Sequence, residues 1–279
     1  MLMFKWENVI SWGRRASDSP LPAPAMPTVD PMLESVIALE QIDVLYQPVI
    51  EPATGRIAGA EALARCSIAE SASALFSRAA ALRLDERLSR LVQRKALRRA
   101  AAWEGPLRDL TISVNLLPCE IAREDYDSWL LEEIAIAGIA PSRVMVEITE
   151  SALVIDREEA AERLASLREA GVSVAIDDFG SGYASFSYLT DLPIDVLKID
   201  RGLVRGIVDR ERDRVVVQTL IKLAHDLGLK VLVEGVESTP QLVLLSEWDC
   251  DLYQGFLGAG ALSEDELARF VAAAHAEAA

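Results

Sequence analysis

Eight short runs rich in β-branched residues alternate with longer amphipathic stretches from about residue 32 onward. This alternation is typical of α/β proteins, in which strands and helices follow one another along the chain to build a parallel sheet. Eight strands in roughly 250 residues match the size of a TIM-type barrel. The predicted strands cover residues 44–49, 57–63, 110–115, 144–148, 172–177, 196–199, 230–234 and 251–256.

The clearest helices between these strands are predicted over residues 156–170 and 212–227. A glycine follows each of them, Gly171 or Gly228, at the position where a left-handed residue commonly ends a helix. An open, doubly wound sheet is the rival architecture, but the sequence has neither a GxGxxG fingerprint after an early strand nor a Walker loop. We therefore predict a TIM-type (β/α)8 barrel, a single domain over residues 32–279, with a flexible N-terminal extension.

That extension, residues 1–31, has two parts. Residues 1–15 are rich in apolar and aromatic side chains, but they are too few to span a bilayer, which takes roughly 20. The basic pair Arg14 and Arg15 follows the apolar run, which argues against a signal peptide. We interpret residues 1–15 as a mobile tail or, alternatively, as a helix that contacts a partner or a membrane surface. Residues 16–31 contain five prolines and are predicted to form an extended linker.

The charge and the rarity of cysteine and histidine exclude several functions. Lys+Arg 28 against Asp+Glu 44 gives a net charge of -16, which repels nucleic-acid phosphates, so we expect neither DNA nor RNA as a partner. Cys66, Cys119 and Cys250 form no CxxC pair, which indicates a reducing, cytoplasmic location and no thiolate zinc site. With only 2 histidines, any metal site must use oxygen ligands.

Nearly every predicted strand ends in a polar side chain that could bind a metal ion or transfer a proton. The carboxyl ends of barrel strands meet at one mouth, and strand alternation turns these side chains toward the barrel axis. Any one of them alone could be a helix cap or an ion-pair partner, but carboxylate and amide oxygens together favour Mg²⁺ or Mn²⁺, and an Asp-Asp pair suits a two-metal hydrolytic site. The residues are Glu61, Asn115, Glu147, Asp177, Asp178, Lys198, Glu234 and Gln254.

These strand-end residues lie within longer motifs spread over roughly residues 35–275. The motifs are Tyr46-Gln47-Pro48, Glu61-Ala62-Leu63-Ala64-Arg65, Ser113-Val114-Asn115, Glu147-Ile148-Thr149-Glu150, Asp177-Asp178-Phe179-Gly180-Ser181-Gly182-Tyr183, Lys198-Ile199-Asp200, Glu234-Gly235-Val236-Glu237 and Gln254-Gly255-Phe256. In this order they resemble the motifs of the EAL-domain cyclic di-GMP phosphodiesterases, a bacterial family of second-messenger enzymes. The resemblance implies a modified TIM barrel that opens cyclic di-GMP to linear pGpG with two Mg²⁺ or Mn²⁺ ions.

The resemblance also implies a role for each matching residue. The first ion would be held by Glu61, Asn115, Glu147 and Asp177, and Asp177 would bridge to a second ion held by Asp178. Glu234 would be the general base and Lys198 would position the attacking water. The substrate would contact Gln47, Leu63, Arg65 and Gln254, while Glu150 and Glu237 would hold the loop after Asp178 in its active position. Family members often pair through the barrel, so a homodimer is expected.

Two segments depart from the family pattern near the expected guanine sites. The loop after Arg65, residues 66–76, is shortened, and residues 257–261 lack the usual aromatic and basic-residue-proline ending. Two alternatives therefore stay open beside the phosphodiesterase. One is a catalytically weak or inactive cyclic di-GMP receptor that acts through a protein partner, and the other is a barrel phosphodiesterase for a different nucleotide.

A stripe of arginines marks the helix predicted over residues 85–103. Arg87, Arg90, Arg94 and Arg98 recur at helical spacing. We predict that they form a solvated face rather than a docking surface, because scattered charges commonly occupy exposed helix faces.

Overall fold

The computed structural model describes residues 29–149, 157–181 and 186–277. Within them, eight strands close into a barrel in chain order, from β1 to β8 and back to β1. The modified TIM-type barrel is confirmed, and each predicted strand overlaps an observed one. The strands are β1 Asp43–Ile50, β2 Ile57–Arg65, β3 Thr111–Leu116, β4 Val144–Thr149, β5 Ser173–Phe179, β6 Val196–Ile199, β7 Lys230–Val233 and β8 Leu252–Tyr253.

Helices surround the barrel. Gly171 and Gly228 have positive φ angles of 96° and 77° just after α6 and α9, as predicted for helix ends. None of the described helices is both long and apolar enough to cross a bilayer. The helices are α1 Pro31–Ala38, α2 Ala72–Ala80, α3 Asp85–Ala101, α4 Pro118–Ile121, α5 Tyr126–Ala137, α6 Arg157–Glu169, α7 Ser187–Asp191, α8 Arg201–Val204, α9 Glu211–Asp226, α10 Thr239–Glu247 and α11 Glu264–Glu277.

The first strand departs from the regular parallel barrel. β1 runs antiparallel to both β2 and β8, whereas the other neighbouring pairs are parallel, so the expectation of parallel construction throughout is wrong for β1. The cause is the short link between β1 and β2, where the N–H of Glu51 donates to the carbonyl of Arg56. A link of this length closes a hairpin, whereas parallel strands need a crossover of about a dozen residues or more.

Strand alternation places a small apolar cluster inside the barrel. Its members are Val49, Met145, Ala175, Val196 and Leu232. The last four lie two residues before strand-end polar residues, at the positions expected for side chains that face the axis. The outward-facing strand residues pack under the helices and form the larger core. The inner cluster therefore closes the barrel below its polar mouth.

The arginine stripe on α3 is only partly solvated. Arg87 and Arg98 are exposed as predicted. The guanidinium of Arg90, however, lies 4.5 Å from the ring centre of Trp129, and Arg94 Nε donates to Glu133 Oε1 at 3.0 Å. The prediction of a solvated face is therefore wrong for Arg90 and Arg94, because their side chains join α3 to α5.

A buried polar network lies between α3, α4 and α5, outside the barrel. Its members Ser89, Gln93, Glu120 and Tyr126 are all buried. Glu120 Oε2 accepts hydrogen bonds from Ser89 Oγ at 2.8 Å and from the N–H of Leu117 at 2.9 Å. Burial nevertheless raises the pKa of Glu120 to about 7.

We predict that Glu120 makes stability depend on pH. The carboxyl group has a usual pKa of 4.5 and a pKa of about 7 in the folded protein, so the folded state holds the proton more tightly between these values. Stability from this group is therefore lost as the pH rises through that window. The unfolding free energy of Glu120→Gln minus that of the wild type should therefore be about 2–3 kcal/mol larger at pH 8 than at pH 5.

Urea unfolding of both proteins at the two pH values measures this difference. Glu124→Gln, at an exposed position nearby, is the matched control. A Glu120→Gln difference that is the same at pH 5 and pH 8 would contradict the prediction.

Candidate metal centre

A buried lysine lies at the centre of the polar mouth. Lys198 on β6 is 0% exposed. Its Nζ lies 2.6 Å from Glu147 Oε2, 2.8 Å from Asp177 Oδ1 and 2.9 Å from Glu234 Oε1. A buried ammonium is costly unless it is paired, and here it has carboxylates from β4, from β5 and from the end of β7. The ion pairs of this lysine thus join the ends of β4, β5 and β7.

Amide side chains extend this cluster toward β1, β2 and β3. Asn115 Nδ2 donates to Glu61 Oε1 at 3.0 Å, and Gln254 Nε2 donates to Glu61 Oε2 at 2.7 Å. The second carboxylate oxygen of Glu61 is also 3.9 Å from Lys198 Nζ. Gln254 Nε2 further donates to Gln47 Oε1 at 3.0 Å. The structure therefore brings these strand-end residues together at one mouth.

Asp178 joins the cluster through an unusual backbone conformation. Its φ angle is 56°, a left-handed value that aspartate adopts more readily than most residues. Its N–H donates to Asp177 Oδ1 at 2.9 Å. One carboxylate oxygen each from Asp177, Asp178 and Glu234 lie within 4.8 Å of one another, a spacing that could hold a metal ion.

The charges of the site are unbalanced. Burial lowers the pKa of Lys198, but Glu147, Glu61, Asp177 and Glu234 outweigh burial and hold this pKa well above the usual value. Burial raises the pKa of Glu234 to about 7, with help from Asp177 and Glu61 and against Lys198. Five carboxylates thus share one ammonium, and a divalent cation would remove the remaining repulsion.

The donor atoms fit a hard divalent cation. Within the described ranges, the buried Glu147 Oε1 and Gln254 Oε1 have no hydrogen-bond partner. A buried oxygen without a partner is costly and is free to bind a cation. The cluster consists of carboxylate and amide oxygens with no sulfur or imidazole, the set that Mg²⁺ and Mn²⁺ prefer. The residues present therefore fit the expected Mg²⁺ or Mn²⁺.

The residues expected to contact the substrate make fewer contacts with the carboxylate cluster than the expected metal ligands do. Gln47 Nε2 donates to the carbonyl of Ala259 at 3.2 Å, which fixes Gln47 beside Gln254. Leu63 lines a cavity of about 250 Å³ between β2, β3, α2 and α3. Arg65 is half-buried, and its Nη1 donates to the carbonyl of Ala64 rather than to the carboxylate cluster.

Of the two residues expected to position the loop, Glu237 lies within the described residues and Glu150 does not. Glu150 lies outside the described residues, as do Gly182 and Tyr183 of the loop after Asp178. Glu237 lies just before α10, where its N–H donates to Gln241 Oε1 at 2.9 Å. Their joint role stays a prediction.

The network behind Asn115 was missed by the sequence reasoning. Gln93 Nε2 donates to the main-chain carbonyl of Asn115 at 2.8 Å. The signal was the position of Gln93 on α3, where Leu88, Val92 and Leu97 mark an apolar face at helical spacing. A glutamine on such a face needs a buried partner.

A larger cavity of about 740 Å³ lies at the opposite end of the barrel. Its charged lining is largely self-paired, with Arg168 Nη2 2.8 Å from Asp195 Oδ1 and Arg56 bound to Glu51. The inner residues Val49 and Met145 lie between this cavity and the mouth. The carboxylate and lysine cluster therefore lies at the carboxyl end of the barrel, where TIM barrels keep their active sites.

Comparison with known proteins assigns the class. The EAL domain family matches residues 32–261 of the chain. The chain belongs to the EAL domain family.

Individual proteins that resemble the chain include cyclic di-GMP phosphodiesterases, in agreement with membership of this family. The chain is 35% identical over 231 residues to the cyclic di-GMP phosphodiesterase NbdA of Pseudomonas aeruginosa, covering 81% of this chain and 29% of that protein. The structure of the PaMucR phosphodiesterase in complex with c-di-GMP is similar, with a TM-score of 0.78 at 30% identity, covering 84% of this chain and 97% of that one. The manganese and cyclic di-GMP complex of Klebsiella pneumoniae BlrP1 has a TM-score of 0.70 at 31% identity, covering 79% of this chain and 56% of that one.

The chain spans only part of its full-length relatives. It covers 31%, 28%, 29% and 40% of the length of four of the curated proteins that it matches. The comparison therefore concerns the barrel domain.

We predict that Lys198→Met destabilises the metal-free protein. Removing the ammonium leaves buried carboxylates without a counter-charge, which typically costs about 3–5 kcal/mol. Unfolding in urea at pH 8 with EDTA measures the loss, and Lys230→Met, at an exposed position on β7, is the matched control. A Lys198→Met protein as stable as the wild type under these conditions would show that the lysine is not the group that balances the carboxylates.

Proposed function

We propose that the chain is a metal-dependent phosphodiesterase that opens cyclic di-GMP to linear pGpG. The single observation that carries the proposal is the convergence of Glu61, Asn115, Glu147, Asp177 and Glu234 around Lys198. Relatives named as cyclic di-GMP phosphodiesterases and neighbours solved with cyclic di-GMP support the choice of substrate. The location that this proposal requires is the cytoplasm, and the free thiols of Cys66, Cys119 and Cys250 agree with it.

Two cations are proposed for the site. Glu61, Asn115, Glu147 and Asp177 would hold the first, and Asp177 and Asp178 would hold the second. Mg²⁺ or Mn²⁺, when bound, would supply the Lewis acidity that activates water and neutralises phosphoryl oxygens. The cations also account for how a chain with a net charge of -16 admits an anionic substrate.

Glu234 is the proposed general base. Its carboxylate takes a proton from the attacking water, which forms a new bond to phosphorus while one ribose–phosphate P–O bond breaks, and the leaving ribose oxygen takes up a proton from solvent water. In the metal-free protein, burial and the neighbouring Asp177 and Glu61 raise the pKa of Glu234, which makes its carboxylate a stronger base than an ordinary glutamate. Lys198 Nζ lies 2.9 Å from Glu234 Oε1. At this distance the ammonium can orient both the carboxylate of Glu234 and the attacking water. The lysine thereby orients the proton transfer.

The remaining assignments follow the same proposal. Gln47 and Gln254 line the substrate groove together with Leu63, and Arg65 turns toward a substrate phosphate, for which guanidinium geometry is well suited. Glu150 and Glu237 hold the loop after Asp178. The barrel domain over residues 32–279 acts as a homodimer. Residues 1–31 are a separate tail and proline-rich linker, of which residues 1–15 are the candidate contact for a partner or a membrane surface and are otherwise a mobile tail.

A chromatographic time course tests the proposal. Purified protein with cyclic di-GMP and Mg²⁺ or Mn²⁺ is expected to form pGpG, and the same mixture with EDTA is expected to form none. Binding of cyclic di-GMP without product under both metals would contradict the enzyme and favour the receptor. Neither binding nor product would point to a different nucleotide.

Two variants test the residue assignments. Glu234→Ala removes the base and is expected to lower kcat by about 10²–10⁴-fold. Glu61→Ala removes one proposed metal ligand and is expected to abolish turnover at Mn²⁺ concentrations that saturate the wild type. Glu247→Ala, on the exposed side of α10, is the matched control. Full activity in either site variant would overturn the assignment of that residue.

A further inference from the structure

The end of β3 is held by side chains from outside the barrel. β2 pairs with β3 only through the positions Gly59 with Thr111 to Glu61 with Ser113. Beyond this point the two strands separate around the cavity of about 250 Å³ that Asn115 and Gln93 both line. On its β2 side, the segment that carries Asn115 therefore faces a cavity rather than a paired strand.

Two buried side chains take the place of that missing strand. Gln93 Nε2 donates to the carbonyl of Asn115 at 2.8 Å, and Glu120 Oε2 accepts from the N–H of Leu117 at 2.9 Å. The two main-chain groups flank Leu116 in sequence and lie on the same edge of the strand, the edge where β2 no longer pairs. Asn115 Nδ2 in turn donates to Glu61 Oε1 at 3.0 Å inside the barrel mouth.

Gln93 itself has little freedom to move. Its Nε2 is 3.0 Å from Ser89 Oγ and 3.2 Å from Glu120 Oε2, and its Oε1 accepts from the hydroxyl of Tyr126 at 3.3 Å. Gln93 is 1% exposed and Glu120 is 0% exposed. A fully satisfied, buried polar network of this kind is rigid, because breaking any of its bonds leaves a polar group without water or a partner.

We propose that Gln93 is a positioning residue for the metal centre, and that it acts by holding the main chain of Asn115 through a hydrogen bond anchored by Glu120. The inference rests on the proposed function, because it gives Asn115 its role as a ligand. It extends that function to a residue on α3, a helix that lies outside the barrel. Groups that orient metal ligands commonly change metal affinity by 10–100-fold when they are replaced.

The test measures Mn²⁺ binding directly, by the electron paramagnetic resonance signal of free Mn²⁺ in the absence of nucleotide. Gln93→Met keeps the length of the side chain but removes the hydrogen-bond donor, and it should weaken Mn²⁺ binding by about tenfold. Gln93→Asn shortens the side chain while keeping an amide, and carries the same expectation if Gln93→Met does not fold. Leu97→Ala, one turn along α3 and buried, is the control for lost stability alone.

The outcomes separate a positioning role from a structural one. Weaker Mn²⁺ binding in the Gln93 variant, with wild-type affinity in Leu97→Ala, supports the proposal. Wild-type affinity in a folded Gln93 variant overturns it, and so does an equal loss of affinity in both variants. A wild type that binds Mn²⁺ without hydrolysing cyclic di-GMP contradicts the proposed function alone, because the metal readout still tests Gln93.

Discussion

The ammonium of Lys198, buried among carboxylates, is the interaction on which the rest of the site depends. Its Nζ contacts Glu147, Asp177 and Glu234 within 2.9 Å and has no exposure to solvent. Without this charge, the carboxylates at the ends of β4, β5 and β7 would repel one another at short range. One positive charge does not balance five acids, however. The site is thus ordered by the lysine and still attractive to divalent cations, a combination that suits a centre that binds its metal after folding.

The barrel supports this arrangement from below and from one side. An inner apolar cluster packs along the barrel axis next to the polar residues, so the polar side chains stay at the mouth of the barrel. The cluster consists of Val49, Met145, Ala175, Val196 and Leu232. The reversed β1 has a separate effect, because its register places Gln47 opposite Glu61. Gln254 then bridges the two side chains. The departure from regular parallel construction therefore links the metal side of the mouth to the side proposed for the substrate.

The convergence of the strand-end residues could be predicted because it depends on two regular features, the two-residue period of strands and the common direction of β2 to β8. The direction of β1 could not be read from periodicity, which is the same in both directions; the shortness of the link after Glu51 was the available signal. The contacts of Arg90 and Arg94 with α5 were hidden for another reason. Trp129 and Glu133 are far from them in sequence, and helical spacing identifies a face without identifying what covers it. Gln93 shows the same limit, since its partner is a main-chain carbonyl that carries no sequence signature.

The central claim is that the carboxylates around Lys198 form a centre for two metal ions. Anomalous diffraction from crystals of the protein grown with Mn²⁺ tests it most directly. We expect two peaks at the carboxyl end of the barrel, one among Glu61, Asn115, Glu147 and Asp177 and one between Asp177 and Asp178. Crystals that show no peak at this mouth, with Lys198 still bound to all of its carboxylate partners at saturating Mn²⁺, would contradict it.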